Sequence, residues 1–137
     1  MITNLYEYEK YIYSLPSKHP VIKASTLIVK RTSAHSAQII GTLYFGNELA
    51  LHVLETVDFL ESKIVDYSYE VFHGIEKLYW YDCWPHPNKP ELASTHPHHK
   101  HIPPDIKNNR VLAPNLSFTS PNLPFLIEEI QNLISTF

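Results

Sequence analysis

Nine of the eleven prolines fall between Pro85 and Pro124, and that concentration limits what the second half of the chain can build. A proline has no backbone N–H and a fixed φ, so one every few residues denies a stretch both a helix and a central strand. Residues 83–120 therefore read as a long, stiff loop. Loops of that length in compact domains are usually functional or disordered. Regular structure has to come from the rest of the chain, and 137 residues suffice for one domain around one core.

Residues 4–15 have the spacing of a helix. Asn4 and Glu7 form a cap pair, Leu5, Tyr8, Ile12 and Leu15 recur at helical intervals, and Pro16 stops the run. From Val21 to Asp82 the pattern turns to β. Thr26–Lys30 and Ala37–Phe45 are strand candidates, and Gly46-Asn47 turns the chain into a third at Glu48–Phe59. Val65, Tyr67, Tyr69 and Val71 alternate with Asp66, Ser68 and Glu70, which buries one face and wets the other. His73-Gly74 then folds Ile75–Asp82 back as a hairpin. No segment between these strands is long enough for a crossover helix, so the sheet should be antiparallel. Leu123, Leu126, Ile127, Ile130, Leu133 and Ile134 predict a closing helix that starts at Ser120-Pro121 or Asn122. The expected fold is α+β: a single domain, residues 1–137, with a curved antiparallel sheet of about five strands, an N-terminal and a C-terminal helix, and the Pro/His-rich loop.

Composition narrows the function. A net charge of −3 excludes a strongly basic nucleic-acid coat protein. No apolar run approaches the roughly 18 residues of a membrane span, and Met1–Glu7 lacks the pattern of a signal peptide. The one cysteine, Cys83, excludes an internal disulfide framework and fits a reducing cytoplasm. Glycine-rich phosphate loops and a Gly-x-Ser-x-Gly elbow are missing, so nucleotide hydrolysis and esterase chemistry drop out.

What remains is the histidines. Five of the nine lie at His86, His96, His98, His99 and His101. Imidazole is the one unperturbed side chain that exchanges protons near neutrality. Two imidazoles facing one phosphodiester divide the work of RNA cleavage: one takes the 2′-hydroxyl proton, the other protonates the leaving 5′-oxygen, and a cation steadies the charge on phosphorus. If Pro97 holds the next residues extended, His99 and His101 share one face while His98 and Lys100 share the other. That favours His99 with His101 as partners, His98 as the reserve, Lys100 and His86 as phosphate-contacting groups, and Asp82 as an orienter of one imidazole. A rival assignment has His98, His99 and His101, with His86 or His96, hold zinc or copper. Their spacing matches none of the standard zinc signatures. The structural alternative is a solvated surface loop, or a regulatory module that docks a partner. Tyr67, Tyr69, Tyr79 and Tyr81 are candidates for base stacking, and Lys77, Lys89, Lys107 and Arg110 for phosphate contacts.

Around this loop the sequence resembles the TumE-like toxin family, small cytoplasmic proteins of type II toxin–antitoxin systems. The match lies in an order of features: a Tyr-rich hairpin, Asp82 at its exit, Pro85-His86, Glu91-Leu92, Ser94-Thr95 and Pro97-His98-His99-Lys100-His101. The first helix ending in Leu15-Pro16 and the closing helix after Ser120-Pro121 extend it over most of the chain. Trp80 or Tyr81 stands where the family pattern has an arginine, and His96 where it has an aromatic. The resemblance implies a growth-inhibiting toxin held inactive by a cognate antitoxin. It also implies action on RNA and a plan like that of RelE-like ribonucleases. Together with the residue chemistry it predicts a metal-independent endoribonuclease with no cofactor, in the cytoplasm, with no membrane association. An exposed sheet edge would let it form a homodimer or bind the antitoxin.

Overall fold

The computed structural model describes residues 2–83, 98–105 and 109–137. Helix α1 spans Leu5–Lys18, and the Asn4 side chain caps it by accepting the Glu7 N–H at 2.8 Å. Tyr8, Ile12 and Leu15 form its buried stripe. Pro16 does not end the helix as the sequence predicts. It sits in the last turn, where its missing N–H and ring disturb little of the hydrogen-bond ladder, and the His19 N–H still reaches the Leu15 carbonyl at 2.9 Å.

Among the described residues the sheet has eight strands rather than five: β1 (Ile22–Ser25), β2 (Ile28–Ser33), β3 (Ser36–Phe45), β4 (Leu49–Asp58), β5 (Lys63–His73), β6 (Glu76–Asp82), β7 (His99–His101) and β8 (Arg110–Leu112). The five long ones are those the alternation predicts. The other three run three or four residues each, too short for a period to register. All pairings are antiparallel, in the order β1-β3-β4-β5-β6-β7-β8, and β2 pairs with β3 beyond the end of β1. Strands β7 and β8 correct the reading of residues 83–120 as loop throughout. No proline interrupts residues 98–102 or 105–113, so each piece has the backbone donors a ladder requires.

Gly41, in β3, lies against Thr26 and Leu27, where the chain passes from β1 to β2. Its φ is +145°, and a Cβ there would sit 2.5 Å from the Thr26 carbonyl oxygen. Gly41→Ala should therefore push both strands off β3 and lower stability by roughly 2–4 kcal/mol, the sum of overpacking and backbone strain, as read by urea unfolding.

Helix α2 (Leu123–Ile134) buries Leu123, Leu126, Ile127 and Ile130, with a proline in its first turn. It covers the same sheet face as α1. Alternation sends Ile39, Leu43, Leu51, Val53, Tyr67, Tyr69 and Val71 into this core. One carboxyl joins them. Glu55 is fully buried and accepts 2.5 Å hydrogen bonds from the Tyr8 and Tyr69 hydroxyls, and Tyr69 in turn accepts from the Asn122 amide at 3.1 Å. These bonds tie α1, two strands and the start of α2 to one group. Among the described residues the opposite sheet face carries no helix, and no helix is long and apolar enough to cross a membrane.

Candidate active site: an aspartate between two histidines

The pleat decides which side chains meet at the β6–β7 pair. Register places Trp80 opposite His101, Tyr81 opposite Lys100 and Asp82 opposite His99. Trp80, Asp82, His99 and His101 therefore share the helix-free face, while Tyr81 and Lys100 point to the helices. Asp82 closes β6, and both imidazoles turn Nε2 toward it. One carboxylate oxygen contacts His99 Nε2, and the other lies 3.2 Å from His101 Nε2. That second oxygen also accepts the indole N–H of Trp80 at 3.1 Å. The Trp80 ring stacks on His101 at 4.0 Å between centroids and 17° between planes.

All three polar residues are withdrawn from solvent: His99 is 0 % exposed, His101 2 % and Asp82 8 %. Burial by itself raises the Asp82 pKa. The hydrogen bonds from His101 and His99 and their charges outweigh it, and hold the carboxyl well below the usual carboxylate range. Asp82 is thus an anion fixed between two imidazoles, which orients both rings.

The other predicted residues are distributed as follows. Lys100 lies on the helix face, 3.5 Å from Glu129 and with its ammonium over the Tyr79 ring at 4.3 Å. His98 is also turned away from the pair: its Nδ1 meets the Tyr67 hydroxyl at 2.6 Å, and its ring packs on Phe118. The set His98, His99 and His101 is therefore not brought to one point. His86, His96, Lys89 and Lys107 lie outside the described residues. Tyr67, Tyr69, Tyr79 and Tyr81 are buried under the helices, which removes them as base-stacking candidates. Cys83 is buried as well, and burial raises its thiol pKa to about 11, so it is a poor nucleophile.

Sequence reasoning did not single out Trp80, which touches both Asp82 and His101. An aromatic two residues before a strand-end Asp was the available signal, since i and i+2 share a face. Arg110 does come to the site, opposite His101 across β7–β8, with its Nε buried and without a hydrogen-bond partner among the described residues. It shares the sheet face of the histidine pair, which Lys100 does not.

This arrangement supports two kinds of chemistry. Paired imidazoles on a common carboxylate can move protons. Asp82, His99 and His101 can also hold a metal ion, because one ligand atom from each lies within 4.8 Å of the other two. Comparison with known proteins adds one finding. The family model described as Toxin TumE matches residues 9–134. No curated protein and no solved structure matches the chain.

Proposed function

Since the chain belongs to the TumE toxin family, we propose that it is the toxin of a type II toxin–antitoxin pair and that it cleaves RNA through His99 and His101. The observation that carries this reading is the single carboxylate of Asp82 between the Nε2 atoms of the two histidines. One imidazole removes the 2′-hydroxyl proton and the other protonates the departing 5′-oxygen. Asp82 fixes their orientation and stabilises whichever ring is the imidazolium. Arg110, not Lys100, is the described cation placed to meet charge building on the phosphate. The reaction needs no metal, and the chain works in the cytoplasm with an antitoxin as its partner. A net charge of −3 gives little general attraction for RNA, so local contacts around the site have to select the substrate.

The spacing of the three ligand atoms favours a second reading, a nuclease in which Asp82, His99 and His101 would hold a metal ion that would supply Lewis acidity and an activated water. Incubating purified protein with total RNA, with and without EDTA, and identifying the product ends separates the two. The acid–base route is insensitive to EDTA and leaves 2′,3′-cyclic phosphate with 5′-hydroxyl ends. Loss of cleavage in EDTA, restored by zinc or manganese, transfers the case to the metal. No cleavage of free RNA or of ribosome-bound RNA by folded protein overturns both.

A further inference from the structure

The helix-free sheet face continues away from the Asp82 cluster as a row of rings. Trp80 stacks on His101, and Lys77 Nζ lies 4.5 Å from the Trp80 ring and 5.7 Å from Phe72. Phe72 packs against His52 at 4.5 Å between centroids. Register carries the row to β3, where Tyr44 pairs with Ala50, itself opposite Phe72. His52 is exposed, Tyr44 is 45 % exposed, and Phe72 and Lys77 are half-buried. These groups cross five strands, from β7 to β3, about 19 Å at the usual strand spacing.

We propose that this row is the binding path for a short single-stranded RNA segment whose scissile phosphate lies at Asp82, His99 and His101. The proposal deepens the RNA-cleavage reading and rests on it. Three observations select RNA as the occupant. The path is continuous with the candidate site through the Trp80–His101 stack. Its open rings, Tyr44 and the His52–Phe72 pair, are flat surfaces on a sheet face that neither described helix covers, the arrangement on which unpaired bases stack. At its site end Arg110 faces His101 on the same sheet face, where the scissile phosphate would lie, whereas Lys77 is held by Glu70 at 2.5 Å. Trp80, covered by His101 and approached by Lys77, does not receive a base. It is a positioning residue that joins the path to the chemistry.

The test uses the whole protein and a fluorescein-labelled, 2′-O-methyl octanucleotide, which lacks the attacking hydroxyl and is not cleaved. Anisotropy titrations compare wild type with Tyr44→Ala, His52→Ala and, as a control on the opposite face, Tyr6→Ala, whose ring on α1 is 69 % exposed. Loss of one stacking ring should weaken binding by roughly 5- to 100-fold, and Tyr6→Ala should bind like wild type. Sedimentation of each variant accompanies the titrations. Equal binding by Tyr44→Ala, His52→Ala and wild type overturns the path, as does failure of the wild type to bind. A change of self-association in place of RNA binding also overturns it, and assigns the face to a protein partner. If the octanucleotide binds through Tyr44 and His52 but unmodified RNA of the same sequence is not cut, the cleavage reading fails and the path stands. If unmodified RNA is cut equally by wild type and both variants below saturation, the path fails and the cleavage reading stands.

Discussion

His99→Ala/His101→Ala is expected to cleave RNA roughly 10²–10⁴-fold more slowly than wild type, the usual contribution of positioned acid–base groups. Both rings touch the same carboxylate, so either single variant should lose nearly as much as the pair. The loss has to be separated from a loss of structure, because the rings are buried and Asp82 depends on them. Acid unfolding makes that separation. The Asp82 carboxyl is held below its unfolded value, so the stability it contributes is present above about pH 4 and disappears as pH falls toward the lowered folded value. Without the imidazoles that depression is gone, burial raises the carboxyl instead, and acid unfolding should begin at higher pH. Near neutrality the double variant should remain folded by circular dichroism. Full activity in that folded variant would remove the histidines from the chemistry.

The largest loss of stability should come from Glu55→Ala, roughly 3–5 kcal/mol, because it opens a core cavity and strands two buried hydroxyls. Tyr8 and Tyr69 both donate to Glu55, and neither finds water in its place. The pH dependence has the opposite sign to that of Asp82. Burial raises the Glu55 pKa more than the hydrogen bonds from Tyr69 and Tyr8 lower it. Its neutral form is thus favoured in the fold, and the protein should lose stability as pH rises from about 4 through the raised value. Glu55→Gln keeps an acceptor of nearly the same shape and should flatten this dependence. Urea unfolding at pH 5 and pH 8 checks both variants. A Glu55→Ala protein as stable as wild type would mean that the hydroxyls have found other partners.

Periodicity made the long elements legible. The Tyr67–Val71 alternation, the turn at Gly46-Asn47 and the apolar stripe of the last helix all have the faces expected of them. Val65 does not: a register shift between Thr56 and Val57 buries Ile64 in its place and leaves Val65 48 % exposed. Strands β7 and β8 were hidden by proline density, a regional average that says nothing about a gap of five residues. Pro16 was over-weighted because a proline near the end of a helix removes little. Within the site, period-2 reasoning paired His99 with His101 and set Lys100 apart from them, and Asp82 as orienter followed from its place at the hairpin exit. The role of Lys100 as a phosphate contact did not agree with that same alternation, which sends it to Glu129. The tyrosines were misread for a related reason. Alternation identifies two faces, but only the docking of the helices says which one is buried.

Strand β7 consists of His99, Lys100 and His101 and is paired on both sides. The chemical identity of each sheet face at this point therefore depends on parity. Inserting one residue between His99 and Lys100 would put an imidazole against Glu129 and bring the lysine beside Asp82, and deleting Lys100 would send one imidazole to Glu129 with no cation left there.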